Sequence, residues 1–192
     1  AKAFYVAVLK NLYRVTTDDA ALYWWFAIKN WVLNESAWGE SGWRISQSII
    51  WVKENIILSL GQDYHCCFEP CMYGWKNKKT RFTRKEYTDF KDVFNLYKTK
   101  FADMLDIWYQ NRDKTNEYIH PTQKPVRLAE RALRKNSEEN DIVVDLFGGS
   151  GSTLIACEQL DRRCHLMELD PKFCDAIIKR WEKFTNEKAV KL

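Results

Sequence analysis

The sequence predicts an α/β fold, a Rossmann-like sheet with helices on both faces, from the pattern around one glycine-rich turn. Residues 142–146 form a short, largely apolar run, which is typical of a strand buried on both faces. Three glycines follow at once, then an apolar helical segment, and then a second strand-like run at residues 165–169. Strand, turn, helix and strand in this order indicate a right-handed βαβ unit, which binds ligands at the carboxyl ends of its strands.

Helical and extended segments alternate along the rest of the chain. Apolar side chains spaced three and four residues apart predict helices over residues 1–15, 27–38, 85–109 and 126–135, and a last helix that begins at Asp170 and Pro171. Runs rich in β-branched and aromatic side chains predict strands over residues 20–26, 43–53 and 69–75, with residues 56–60 as a short strand or a loop. Because no internal repeat is present, 192 residues predict one domain.

The overall composition is that of a globular protein. Hydrophobic residues make up 46% of the chain, which is enough for a core and argues against disorder. No apolar run has membrane length and no signal peptide is visible, so we expect a soluble, cytoplasmic protein that does not bind a membrane. The six cysteines form no Cys-x-x-Cys pair, so we expect small buried thiols and no metal site.

Positive charge is concentrated in one segment. The net charge is only +4, yet residues 76–85 contain six cations and no acid. Such a cluster indicates either a loop that faces nucleic-acid phosphates or a solvated surface loop. The candidate DNA-binding residues are Lys76, Lys78, Lys79, Arg81, Arg84 and Lys85.

Tryptophan is also concentrated, because six of the nine tryptophans lie between residues 24 and 51. These rings are either a platform on which bases stack or part of the core. We favour the core for most of them, and expect one tryptophan at most near a ligand.

The glycine turn allows four interpretations. A phosphate-binding P-loop requires a lysine after Gly151, and a dinucleotide fingerprint requires a third glycine near Leu154; neither residue is present. The remaining interpretations are a tight turn without a ligand and a site for S-adenosylmethionine, with Phe147, Gly149 and Gly151 as its Phe-x-Gly-x-Gly pattern. We favour the cofactor site, because glycines let a ligand approach the backbone closely.

Three segments together resemble the DNA amino-methyltransferases, which methylate N6 of adenine or N4 of cytosine. They are DLFGGSGST at residues 145–153, HPTQKP at residues 120–125 and MELDP at residues 167–171. Their order is similar to that of the permuted class, in which the catalytic motif comes first. The resemblance implies S-adenosylmethionine as cofactor, double-stranded DNA as partner and an inserted target-recognition region at residues 77–116. We expect adenine as the target base.

The resemblance also implies a set of cofactor-binding residues. Glu168 provides a carboxylate for the ribose hydroxyls, and the backbone N–H groups of the turn suit the carboxylate of the cofactor. The side chains of residues 120–124 suit the methionyl end, and an apolar slot for the adenine is expected among Leu169, Pro171 and Phe173. The complete set is Asp145, Phe147, Gly149, Gly151, Glu168, His120, Thr122, Gln123 and Lys124.

The sequence departs from the family pattern in one important respect. The catalytic motif of the family, Asp/Asn/Ser-Pro-Pro followed by an aromatic residue, does not occur, because none of the four prolines are adjacent. We therefore name no catalytic residue. We expect that residues 1–192 are a fragment of a catalytic domain, inactive alone, which associates as a homodimer or with a complementing N-terminal segment. The alternative is an inactive remnant that binds nucleic acid or cofactor.

Overall fold

The computed structural model describes residues 1–57, 66–77, 105–113 and 118–191, with the backbone alone for residues 54–57. The chain divides into two compact units, Ala1–Tyr109 and Gln110–Leu192, here called the N-terminal and the C-terminal unit. The organisation as one domain with an insert at residues 77–116 stays a prediction.

In the described residues, the N-terminal unit contains two α-helices and a four-stranded sheet. The order along the chain is α1 (Lys2–Val15), β1 (Ala21–Trp25), a 3₁₀ turn (Ile28–Asn30), α2 (Trp31–Gly39), β2 (Arg44–Ile57), β3 (Cys66–Trp75) and β4 (Ile107–Tyr109). In the sheet the strand order is β1-β3-β2-β4. Strand β3 is antiparallel to both of its neighbours, whereas β4 is parallel to β2. These elements confirm the predicted first helix and the three predicted strands, and β2 extends beyond its predicted end.

The prediction of a helix over residues 85–109 is wrong at its end. Strand β4 replaces it there, and Trp108 lies opposite Trp51 of β2. Trp108 is buried, and its indole N–H donates to the carbonyl of Leu105 at 2.8 Å. Pairing with β2 satisfies the backbone polar groups of this segment, which the spacing of its aromatic side chains does not reveal. Residues 85–104 lie outside the described part of the chain.

Tryptophan side chains form much of the core of the N-terminal unit. Trp38, Trp43 and Trp51 are 1%, 4% and 1% exposed, which confirms the core assignment for these three. The indole N–H of Trp43, the residue before β2, donates to the carbonyl of Leu9 at 2.9 Å and so ties the start of β2 to helix α1. The Trp51 ring meets that of Trp25 edge-on, with 6.2 Å between the centroids. Edge-to-face packing of this kind stabilises aromatic cores.

The C-terminal unit contains the predicted βαβ arrangement. Its elements are α3 (Val126–Asn136), β5 (Ile142–Asp145), α4 (Ser152–Gln159), β6 (Arg163–Leu166) and α5 (Pro171–Thr185). Strands β5 and β6 are parallel, with Val144 opposite His165. Helix α5 begins as predicted, because the side chain of Asp170 accepts a hydrogen bond from the N–H of Lys172 at 2.9 Å.

Two details of the βαβ unit differ from the prediction. Strand β5 is covered on one face, where Val143 packs against the core, while Ile142 and Val144 are 62% and 36% exposed. The second strand ends at Leu166, so Glu168 lies two residues beyond it. The carboxylate of Glu168 accepts the N–H groups of Leu169 and Asp170, and these bonds turn the chain out of the strand towards α5.

The cysteines of the described residues are free thiols. Cys71 and Cys157 are buried and the other four are half-buried. Cys157 and Cys164 share a hydrogen bond in the core of the C-terminal unit, and this bond raises the pKa of Cys164. Within residues 1–57, 66–77, 105–113 and 118–191, no group of three His, Cys, Asp or Glu side chains is placed to hold a metal ion. No helix in the same residues is long and apolar enough to cross a membrane.

Candidate functional site

The turn between β5 and α4 is built by three glycines, each with its own reason. Gly149 and Gly151 have φ values of +54° and +75°, in the left-handed region that side chains rarely adopt. At Gly148 a Cβ atom would lie 2.4 Å from Cδ2 of Leu166, so any other residue there would force the Leu166 side chain of β6 to move. Gly151 is also the N-cap of helix α4. The turn is therefore a rigid, closely packed backbone segment.

Asp145 shapes the start of this turn. Its Oδ1 accepts a hydrogen bond from the N–H of Phe147 at 2.9 Å. Beyond the paired strands, the N–H of Met167 donates to the carbonyl of Asp145, and the N–H of Gly148 donates to the carbonyl of Met167. Asp145 thus acts on the backbone, whereas the ring of Phe147 is 53% exposed at the surface of the turn.

Glu168 joins the end of β6 to the glycine turn. Its Oε2 accepts the N–H of Gly149 at 2.7 Å, and its Oε1 accepts the N–H groups of Leu169 at 2.8 Å and Asp170 at 3.0 Å. These bonds, that from Asp170 first, hold the pKa of Glu168 below its ordinary value, so the carboxylate is ionised at neutral pH. Each carboxylate oxygen has two lone pairs, and Oε2 therefore retains capacity for a ligand hydroxyl.

His120 brings the HPTQKP segment to the same turn. Its ring atoms Cγ and Nδ1 lie 3.8 Å from the position that a Cβ would take on Gly149. Nδ1 accepts the backbone N–H of Thr122 at 3.2 Å, and the Thr122 hydroxyl lies 3.1 Å away. Because a backbone N–H can only donate, the neutral ring carries its proton on Nε2. The ring also packs on Phe173, with 4.3 Å between the centroids.

Gln123 and Lys124 contribute to this loop in different ways. Gln123 is 6% exposed, and both ends of its amide are engaged: Nε2 donates to Asp113 at 2.7 Å and Oε1 accepts the N–H of Ile119 at 3.2 Å. This geometry favours support of the loop over a contact with a ligand. The backbone carbonyl of Lys124 accepts the hydroxyl of Ser152 at 2.6 Å, which ties the loop to the first turn of α4.

Three exposed apolar side chains come from the glycine turn and from the chain on either side of Glu168. Phe147, Met167 and Leu169 are 53%, 62% and 95% exposed. Exposed apolar side chains next to convergent polar groups are typical of a ligand site. Leu169, which the sequence places in an adenine slot, is almost completely exposed, while Phe173 of the same prediction is half-buried and contacts His120.

Arg180 also reaches this site, and sequence reasoning missed it. It lies in α5, and its Nη1 donates to the carbonyl of Ser150 at 2.9 Å, with the Ser150 and Ser152 hydroxyls at 3.3 and 3.4 Å. Arg180 and Ser150 are 30 residues apart in the chain. No local pattern distinguishes Arg180 from the other cations of α5.

The basic segment was predicted to contact DNA, and the structure describes only its beginning. Lys76 is 9% exposed, and its Nζ donates to the carbonyl of Thr16 at 2.8 Å, lies 3.8 Å from Asp18 and 4.6 Å from the centre of the Tyr13 ring. A phosphate contact by Lys76 is therefore not supported, because its ammonium group ties the end of α1 to the end of β3. The remaining predicted residues, Lys78, Lys79, Arg81, Arg84 and Lys85, lie outside the described part of the chain.

Comparison with solved structures confirms the α/β methyltransferase fold. The crystal structure of the M1.HpyAVI–SAM complex matches 92% of this chain and 81% of its own, with a TM-score of 0.73 and 20% identity. The PvuII DNA methyltransferase, which is cytosine-N4-specific, matches 96% of this chain and 74% of its own, with a TM-score of 0.73 and 16% identity. At these identities the likeness concerns the fold alone.

Sequence relatives and a family model identify the family. Type II methyltransferase M2.LlaDCHI of Lactococcus lactis subsp. cremoris is 30% identical over 148 residues, 75% of this chain and 53% of the relative. Type II methyltransferase M2.DpnII of Streptococcus pneumoniae is 29% identical over 147 residues, 74% of this chain and 53% of the relative. The chain thus spans about half the length of these curated relatives. A model of N6 and N4 methyltransferases, described as DNA methylase, matches residues 2–180, and the chain therefore belongs to the N6/N4 DNA methylase family.

Proposed function

We propose that this protein takes part in transfer of a methyl group from S-adenosylmethionine to the exocyclic amine of a DNA base, N6 of adenine. One observation carries the proposal: the Glu168 carboxylate meets the N–H of Gly149 beside the ring of His120. Three sequence motifs that are weak singly therefore converge on one surface of the C-terminal unit. Membership of the DNA methylase family supports the same chemistry.

The residues present fit three groups of the cofactor, namely its ribose, its adenine and its carboxylate. The ionised Glu168 would accept the ribose hydroxyls, and the exposed side chains of Phe147 and Met167 would offer an apolar surface to the adenine. The N–H groups in the first turn of α4 have no intrahelical partner and would suit the carboxylate of the cofactor. When bound, the cofactor supplies an electrophilic methyl group on sulfur. The solved complexes of M1.HpyAVI and of TTHA0409 from Thermus thermophilus with this cofactor support the assignment.

The methyl acceptor is proposed from the family and from charge. Two relatives are named Type II methyltransferases, which favours DNA as the substrate. The target base has to leave the stack to reach the methyl group. We propose adenine, with N4 of cytosine as the alternative that the PvuII enzyme represents. Lys78, Lys79, Arg81, Arg84 and Lys85 are the proposed phosphate contacts, within a target-recognition region at residues 77–116.

The catalytic step requires a group that this sequence does not contain. No two of its prolines are adjacent, so the Pro-Pro motif that holds the amine in the family is absent. We propose that a complementing segment supplies this motif. The same fact favours a second candidate function, in which the chain binds cofactor or nucleic acid without transfer.

Labelled methyl transfer tests the proposal. The purified chain, alone and mixed with a family segment that carries the Pro-Pro motif, is incubated with methyl-labelled S-adenosylmethionine and unmethylated duplex DNA. Mass spectrometry of the digested nucleosides distinguishes N6-methyladenine from N4-methylcytosine. We expect N6-methyladenine in the mixture only. Cofactor binding without any methylated base supports the binding remnant, and absence of cofactor binding contradicts the proposal.

A further inference from the structure

Arg180 places a cation directly behind the glycine turn. Its guanidinium is half-buried, and three of its contacts are oxygens of Ser150 and Ser152. Burial lowers the pKa of Arg180, and the nearby Asp113 carboxylate opposes that shift. Arginine nevertheless keeps its charge at neutral pH. A permanent positive charge therefore lies at the start of helix α4, on the side of α5.

The contacts of Arg180 continue into the HPTQKP loop. Ser150 is 4% exposed, and its hydroxyl lies 3.0 Å from that of Ser152. Ser152 in turn donates to the carbonyl of Lys124 at 2.6 Å. One arginine thus fixes two hydroxyls and one carbonyl, and these fix the turn against the loop that carries His120.

This arrangement acts on the part of the turn that faces an anion. The hydrogen bond from Arg180 to the carbonyl of Ser150 opposes rotation of the Ser150–Gly151 peptide, whose N–H donates to the carbonyl of Gly148 at 2.8 Å. The N–H groups at the beginning of α4 therefore keep one direction. The guanidinium charge adds to the positive potential at the start of the helix, which favours a negatively charged ligand group there.

We propose that Arg180 is a positioning residue for the carboxylate end of S-adenosylmethionine, acting through Ser150 and Ser152 and without touching the ligand. This inference rests on the proposed function. It predicts that loss of Arg180 weakens the binding of ligands that have the carboxylate and has little effect on the binding of ligands that lack it. If Arg180 only stabilised the fold, its loss would weaken the binding of both kinds of ligand equally.

Binding of two ligands to three variants tests the inference. S-adenosylmethionine and its decarboxylated form share the nucleoside, the sulfonium and the amine. Dissociation constants are measured by competition against labelled S-adenosylmethionine, with the decarboxylated form taken to millimolar concentration. The variants are Arg180→Met, Arg180→Lys and, as a control that removes one charge from the same helix, Lys179→Met, at an exposed position.

We expect Arg180→Met to raise the dissociation constant of S-adenosylmethionine about tenfold, which is the scale of a hydrogen bond to a charged group. The dissociation constant of the decarboxylated form should change by less than about threefold in Arg180→Met. In Lys179→Met the dissociation constants of both ligands should also change by less than about threefold. Arg180→Lys keeps the charge and should recover part of the loss, which provides a readout if Arg180→Met folds poorly. Equal loss for both ligands, or no loss, overturns the role of Arg180. If the parent protein binds neither ligand, the proposed function itself fails.

Discussion

The carboxylate of Glu168 accepts the backbone N–H of Gly149 at 2.7 Å, across 19 residues of sequence. This bond closes the surface between the end of β6 and the glycine turn. Glu168 therefore has two roles, because the carboxylate that holds the turn is also the proposed hydrogen-bond acceptor for a ligand.

Replacement of Glu168 should weaken cofactor binding. Glu168→Ala removes a charged hydrogen-bond acceptor, and we expect a loss of about 1.5–3 kcal/mol in binding free energy, measured by calorimetry. Glu187→Ala, at an exposed position beyond α5, is the matched control and should bind like the parent. Unchanged affinity in Glu168→Ala, with an intact circular dichroism spectrum, would remove Glu168 from the site.

Glu168 should also make the stability of the C-terminal unit depend on pH. Its folded pKa is depressed from the ordinary value of 4.5 by the bonds from Asp170, Gly149 and Leu169. A depressed carboxylate pKa contributes stability above the unfolded pKa, and that contribution is lost as the pH falls through the folded value. The parent should therefore have a higher melting temperature than Glu168→Gln at pH 7. This difference should shrink as the pH falls below 4.5, the ordinary pKa of a glutamate. A difference that does not depend on pH would contradict this assignment.

A side chain at Gly148, as in Gly148→Ala, should destabilise the fold. A Cβ there would lie 2.4 Å from the side chain of Leu166 and 3.1 Å from that of Ile177, and overpacking of this kind costs about 1–3 kcal/mol in free energy of unfolding. At Gly39, the last residue of α2, an added Cβ would meet nothing within 4 Å. Gly39→Ala is thus the control, and it should be neutral or slightly stabilising. Urea unfolding of Gly148→Ala and Gly39→Ala tests this. Equal free energies of unfolding would contradict the prediction and show that the Leu166 side chain can move aside without loss of stability.

Lys76 and its basic neighbours should separate in their effects on DNA binding. The triple neutralisation of Lys78, Lys79 and Arg81 should reduce the log–log salt slope of DNA affinity by about 0.9 for each DNA phosphate that is no longer neutralised. Lys76→Met should leave that slope unchanged and lower the melting temperature, because its ammonium group bonds the carbonyl of Thr16. Fluorescence anisotropy over a salt series measures the slopes, and thermal unfolding measures the melting temperature. A slope change in Lys76→Met, or none in the triple variant, would reverse these roles.

Much of the C-terminal unit was predictable because its signals are local. Glycines 149 and 151 are required by their own φ values, and Asp170 and Pro171 begin a helix through bonds within one turn. The meeting of Glu168 with the glycine turn follows from the geometry of parallel strands. The assignment of Trp38, Trp43 and Trp51 to the core was also accessible, since large apolar rings are rarely left in solvent.

The sequence by itself determined the family, the order of helices and strands around the glycine turn, and the residue types that suit a cofactor. Only the tertiary structure decided that residues 107–109 are a strand, that Gln123 is turned inward, that Lys76 is engaged by Thr16, and that Arg180 supports Ser150. The last two contacts join residues 60 and 30 positions apart. Periodicity, capping and glycine patterns report on neighbours in the chain, whereas the partner of a buried charge is chosen by the packing of whole elements.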